Sequence, residues 1–327
     1  MHTNEKKSPL SGLGAWVTDN INLVFLIVMV LVGCLASENF FRWDNLMNLF
    51  RRITVNGIMA VGFTMTLLVG GFDLSIGSIM SLCAVLLIGV GNTTQNFPLA
   101  LLVCVAAGLA MGLVNGLLMK LTRGGSGEAF LITLATGMVA ASLAKHYCNG
   151  SELYYKFRSG VGAGVFEKIG QGSVLTIPIC SLIWIAIMIL FQIIIKKTQL
   201  GRNVLLTGAN KNSAYLSGVN VGALKVMAFA IAGLMSAFAA VIMASRTTGA
   251  SPNSGAGGDF DAAIASIIGG NSLVGGKGGM VQVLIGAIIY GLITNILNLM
   301  GVASVVQYIV KGGVLLLAIC LDNLKKR

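Results

Sequence analysis

Val69-Gly70-Gly71-Phe72-Asp73-Leu74-Ser75-Ile76-Gly77-Ser78 interrupts one apolar segment, and Ile268-Gly269-Gly270-Asn271-Ser272-Leu273-Val274-Gly275-Gly276-Lys277-Gly278-Gly279 interrupts another about two hundred residues later. Glycine pairs are poor helix formers, so each stretch breaks a helix inside or at the face of a bilayer. Paired Gly-interrupted segments at corresponding places in two halves mark a transporter built from repeats, with its pathway near the breaks. The breaks and their flanks (Gly70, Gly71, Asp73, Ser75, Gly77, Gly269, Gly270 and Ser272) are therefore candidate hinge or pathway residues, joined by Asn115 and Asn295 from the helices that follow.

Composition agrees with a membrane setting. Hydrophobic residues make up 56% of the chain and charged residues 10%, with a mean hydropathy of +0.87. A water-facing surface needs far more charge than this. Apolar runs begin at Ile21, Ile53, Ile79, Pro98, Ala129, Leu175, Leu224, Ala262, Met280 and Ser304, predicting about ten transmembrane helices. Most approach the roughly 17 to 25 residues that span a bilayer core, while the third and eighth are short and need the Gly-rich breaks to complete them. The expected fold is all-α: a polar lead over residues 1–20, one membrane domain over 21–321 and a short tail over 322–327.

The lead carries Lys6 and Lys7 but no small-residue cleavage site after the first apolar run, so that run reads as a retained helix. With the N-terminus in the cytoplasm, 13 of the 22 Lys and Arg fall inside, 8 outside and Lys311 within a helix. That bias predicts both termini cytoplasmic, although Arg51 and Arg52 on the outer side run against it. The net charge of +11 thus reads as topology, with no nucleic acid implied. Six cysteines without CxxC spacing and only two histidines supply no metal or disulfide framework.

Four loops carry pattern. Ser37 to Arg52 predicts a short amphipathic piece along the interface. Ala144 to Val174 is the largest external loop and a plausible docking surface, and Arg246 to Asp261 reads as a second, flexible one. The cytoplasmic loop 196–223 has Asn210 placed to cap a two-turn helix from Lys211 to Leu216, with Gly218 placed to end it. Ala214, Tyr215 and Leu216 on that helix suit insertion into a groove of another subunit; an ordinary connector is the plainer reading.

Asp73 is the one carboxylate that the sequence places in an apolar setting. It serves either as a cap on the helix starting at Ser75 or as a polar or proton-handling group, with Lys311 its only candidate intramembrane partner. Gly108, Gly112 and Gly116 form two GxxxG steps that bring a helix close to a neighbour, within the chain or across a dimer. Gly275-Gly276-Lys277-Gly278 is not a nucleotide loop, because Asn271 stands where its first glycine belongs and Gly278 where Ser or Thr must hold the metal. With no triad, metal cluster or ATPase motif, the chain reads as a non-enzyme, and any ATP hydrolysis belongs to another polypeptide.

These motifs resemble the permease subunits of bacterial ABC importers of the ribose, xylose and autoinducer sugar class, and in pattern lie nearest the ribose branch. The resemblance runs from Asn48 to the C-terminus. It is carried by Val55-Asn56-Gly57-Ile58-Met59-Ala60-Val61-Gly62, by both breaks, by Leu200-Gly201-Arg202 with Gly208-Ala209-Asn210, by Asp259-Phe260-Asp261-Ala262 and by Gln307-Tyr308-Ile309-Val310-Lys311. Two departures, Ala141-Ser142 in the fifth helix and Glu128-Ala129 before it, sit near the expected path and bear on the identity of the sugar.

The resemblance implies a homodimer in the bacterial inner membrane. It implies a partner subunit with tandem ATP-binding domains that holds Mg-ATP, and a periplasmic or lipid-anchored sugar-binding protein. It assigns coupling to the ATPase to Gly201, Arg202, Asn210, Lys211, Ala214, Tyr215, Leu216 and Gly218. The alternative is a stand-alone proton-coupled secondary transporter that uses Asp73.

Overall fold

A computed structural model describes residues 21–324, so the N-terminal lead and the last three residues of the basic tail lie outside the described chain. The chain is mostly helical: α1 (Ile21–Ala36), α2 (Trp43–Leu68), α3 (Ile76–Thr94), α4 (Phe97–Leu121), α5 (Ser126–Tyr147), α6 (Ala163–Gln171), α7 (Ile179–Lys197), α8 (Gln199–Ala209), α9 (Lys211–Leu216), α10 (Val221–Thr247), α11 (Gly258–Ile268), α12 (Met280–Leu299) and α13 (Ser304–Leu324). Among the described residues six helices, α3, α4, α5, α7, α10 and α12, are long and apolar enough to cross a membrane. A helix covers each of the ten apolar runs of the sequence.

Side chains trained on free backbone N–H groups set four of the helix starts. Asn96 accepts from Leu99 N before α4, Thr198 from Gly201 N before α8, Asn210 from Ser213 N before α9 and Asn220 from Ala223 N before α10. Gly218, at φ +77°, ends α9 in the left-handed conformation that its sequence position predicts.

The two faces of the bundle differ. One carries α8 and α9. On the other, β1 (Leu153–Tyr154) pairs antiparallel with β4 (Gly249–Ala250), and β2 (Ser173–Val174) pairs with β3 (Ile177–Pro178) in a hairpin. Leu175 and Thr176 at its tip both have positive φ, the twist that two-residue hairpins need. Phe97, Tyr155, Phe157 and Phe166 stack beneath this face with ring centroids 4.4 to 5.4 Å apart.

The most extensive helix pairing is α4 with α10, which resolves where the glycine stripe packs. A β-carbon at Gly108 would lie 2.5 Å from Gly233 O, one at Gly116 would lie 2.6 Å from Val226 Cα, and one at Gly112 would overlap Phe229 O. The stripe is spent inside the chain on backbone-to-backbone contact.

Two loop expectations change. The segment before Ile53 is no separate interfacial piece, because α2 runs unbroken from Trp43. Nothing between Trp43 and Asn56 breaks a helix, and Asn45 anchors the first turn through reciprocal amide bonds with Asn295 of 3.1 and 2.8 Å. The glycine-rich stretch after β4, expected as a flexible external loop, folds into the bundle. Gly255 N donates to Ser81 Oγ at 2.8 Å, and a β-carbon at Gly255 would overlap Gly77 O. Glycine composition here signals close approach rather than freedom.

Candidate functional site

The first break is ordered by its own side chains. Asp73 is fully buried, and its Oδ1 accepts from the backbone N and the hydroxyl of Ser75 at 2.8 and 2.6 Å. Asn115 Nδ2 donates to that hydroxyl at 2.8 Å, and Leu74 N donates to Thr133 Oγ1 at 3.0 Å. Gly70 takes φ +76°, while Gly71 is pressed against the Phe229 ring. Asp73 thus braces the entry to α3. Lys311, the partner the sequence offers it, pairs instead with Asp261.

The second break is a knot tied by one amide. Asn271 Nδ2 donates to Ser266 Oγ at 3.1 Å, and its Oδ1 accepts from Gly279 N at 2.8 Å. Ser272 N closes the turn on Lys277 O at 3.0 Å, and Asn22 Nδ2 of α1 donates to Gly269 O at 2.8 Å. Gly270, at φ +105°, occupies a backbone region that only glycine enters freely.

The two breaks meet each other and α8 at one point. Gly276 N donates to Leu68 O at 3.1 Å, where α2 ends. A β-carbon on Gly208 would overlap Leu68 O and lie 2.5 Å from Gly276 N. A second tie runs through the α4–α5 turn, where Lys211 Nζ donates to Arg123 O at 2.8 Å, Lys225 Nζ to Gly124 O and Ser126 Oγ to Gly70 O at 3.3 Å. Tyr215 and Leu216 of α9 stay 74% and 84% exposed, whereas Ala214 is buried beneath them. Gly201 lies tight against Ile195 O, and Arg202 donates to Gln199 Oε1. α8 and α9 therefore offer an apolar tip outward and a glycine contact inward.

On the hairpin face a cavity of about 1040 Å³ opens among Asn48, Arg51, Arg52, Arg246 and Gln171, and descends past Asn56, Met59 and Met80 to Gly258 and Asp261 at the start of α11. α11 is a half-helix: 11 residues long, it starts within the bundle and ends at the second break. Asn56 donates to Asp261 Oδ2 at 3.3 Å and lies about 18 to 20 Å from either end of α2, at a rise of 1.5 Å per residue. Beyond Asp261 a smaller cavity of about 90 Å³ is lined by Arg52, Asn56, Tyr290, Thr294, Asn295 and Lys311. Asp261 and Lys311 form the ion pair between the two, with Nζ 3.4 Å from the carboxylate, and among the described residues it is the only salt bridge.

Of the residues that the sequence singles out, Asn56 lines both cavities and Asn295 reaches the smaller one, whereas the glycines, Asp73, Ser75 and Ser272 of the breaks line neither. Asn115 is buried in helix packing. Sequence reasoning missed Asp261 as an intramembrane group because it assigned Asp259 and Asp261 to an external loop. The available signal was the pair of acids in the first turn of an apolar run, the position at which a helix dipole favours them.

Residues 45–319 match a family model described as branched-chain amino acid transport system / permease component. The chain is 35% identical to the ribose import permease protein of Escherichia coli strain K12, over 95% of this chain and 96% of that one. It is 36% identical to the Bacillus subtilis ribose import permease protein over 92% and 91% of the two chains, and 30% identical to the E. coli D-allose transport system permease protein over 98% and 95%. No solved structure matches the chain. Family match and full-length relatives coincide with a bundle whose broken helices adjoin a polar cavity. The chain is a multi-pass membrane protein belonging to this permease-component family.

Proposed function

We propose that this chain is the membrane-spanning permease subunit of an ABC importer that carries a monosaccharide, a ribose-like pentose or a related sugar, across the bacterial inner membrane. The observation that carries the reading is likeness over nearly the whole chain to proteins named as ribose, allose and arabinose permeases. Their names favour a sugar over the amino acids in the family's description.

In this reading ten helices cross the membrane in two related halves, each with one break, and both termini face the cytoplasm. The distribution of Lys and Arg supports that orientation, and the face bearing α8 and α9 is then the inner one. Two copies form the pore. A partner ATPase with tandem nucleotide-binding domains holds Mg-ATP and grips the exposed tip of α9 at Tyr215 and Leu216. A sugar-binding protein docks outside and delivers into the large cavity. The proton-coupled alternative rests on Asp73, which is fully buried, braces Ser75 and lines neither cavity.

The test is gentle extraction of the tagged chain from its native membrane, with mass spectrometry of what accompanies it and uptake assays in liposomes. Recovery of a tandem ATPase and ATP-dependent sugar accumulation are expected. Accumulation by the chain alone without ATP would overturn the assignment.

A further inference from the structure

Four polar groups converge on the wall between the two cavities, and none is well satisfied. The Lys311–Asp261 contact is 3.4 Å to each carboxylate oxygen, long beside the roughly 2.7 to 2.9 Å of a charge-assisted bond. Asn56 reaches the same carboxylate at 3.3 Å. The Tyr290 side chain lines the smaller cavity and is 4% exposed, and its hydroxyl lies beside Asp261 and Thr294 without making a well-formed hydrogen bond among the described residues. A buried hydroxyl without a well-formed hydrogen bond is uncommon and calls for an explanation.

A purely structural ion pair anchoring α13 would be short, closed and surrounded by satisfied neighbours. This one keeps 18% of each side chain exposed and is flanked by cavities on both sides. Lys311 Nζ stands 5.1 Å from the Tyr290 ring centroid and 5.3 Å from that of Tyr308, so it keeps cation–π support when its carboxylate contact loosens.

We propose that Asp261, Asn56, Tyr290 and Lys311 form a transit site for the vicinal hydroxyls of a sugar, midway along the permease, deepening the sugar-importer reading on which it rests. The chemistry matches group by group. A carboxylate accepts two adjacent hydroxyl protons, an ammonium and an amide N–H donate to hydroxyl oxygens, and a phenol does either. The smaller cavity has room for about three waters at roughly 30 Å³ each, enough for the hydroxyl edge of the sugar while its body stays in the larger one. As the hydroxyls arrive they take up contacts that the ion pair holds loosely, and the Asp261–Lys311 bridge parts. Binding here is weak, since a tight site would hold its cargo against release.

Saturation-transfer NMR on the purified full-length chain in nanodiscs tests this without the ATPase or the binding protein. The probes are D-ribose, L-arabinose, D-allose and 2,3-O-isopropylidene-D-ribose, in which the 2,3-diol is blocked. At least one free sugar is expected to give a signal and the blocked one none. Tyr290→Phe, which removes one oxygen and keeps the ring, is expected to weaken binding about fivefold, the loss of one hydrogen bond of about 1 kcal/mol. Asp261→Asn is expected to abolish the signal, and Tyr290→Phe decides alone if that variant does not fold. Silence from all three free sugars, an equal signal from the blocked one, or wild-type binding by Tyr290→Phe would overturn the proposal. ATP-driven uptake by the wild-type complex reads the importer assignment separately, so the two fail independently.

Discussion

At the scale of single residues, charge in an apolar sequence is the most informative and the most easily misassigned feature. Asp73 was legible as a cap candidate because it stands two residues before Ser75, and its Oδ1 does brace that residue. Whether it meets Lys311 was not legible, since sequence gives no depth; in the structure it does not, because α13 meets the start of α11 and Lys311 pairs with Asp261. Asp73→Asn keeps an acceptor at Oδ1, so ATP-driven uptake should persist across pH, which a proton-coupled carrier would lose. Asp73→Leu strands the Ser75 N–H and hydroxyl and should lower stability by about 1 to 3 kcal/mol, read as an earlier thermal unfolding midpoint in detergent. Gly112→Val drives two methyls into the α10 backbone and should prevent stable assembly of the bundle. By contrast Gly312, with nothing within 4 Å of a β-carbon, should accept alanine without loss of yield.

At the scale of elements, the apolar periods and cap residues located the helices, and the glycine runs located the breaks. What they withheld was which helix a glycine faces, because close approach is a property of two backbones and only one is adjacent in sequence. The junction of Gly208 with Leu68 and Gly276 is the clearest instance. α8 touches the end of α2 and the second break through a residue without a side chain, so displacement of α8 is passed to both breaks with little slack. Gly208→Ala should separate these surfaces and uncouple the complex, leaving ATP hydrolysis near wild type while uptake falls by about an order of magnitude or more, consistent with an overpacking strain of about 1 to 3 kcal/mol. Parallel measurement of hydrolysis and uptake in one liposome preparation checks it, and an unchanged ratio would refute that route.

At the scale of the whole molecule, the two faces make opposite demands. One presents an apolar helical tip, the other a hairpin tip with Leu175 at 90% exposure. Single cysteines at Tyr215 and Leu175, in a chain whose exposed Cys34 has been replaced, should react with an impermeant maleimide only from the cytoplasmic and periplasmic sides respectively. Labelling of both from one side of sealed vesicles would refute the proposed orientation. The charge bias alone left this a matter of counting, because Arg51 and Arg52 oppose it; the cavity that they line supplies a reason for their position.

The clamp between α11 and α12 has a geometric consequence. Backbone contacts of Gly269 with Gln282 and of Gly286 with Ala265 fasten the foot of the half-helix, while Asp261 rides near its head. Seven residues at 1.5 Å each make a lever arm of about 10 Å. A tilt of about 10° at the foot would carry the carboxylate about 2 Å sideways, enough to turn a 3.4 Å contact into none. In the proposed importer the wall between the two cavities would then part by a movement smaller than one helical turn, with the remainder of the bundle staying close-packed throughout.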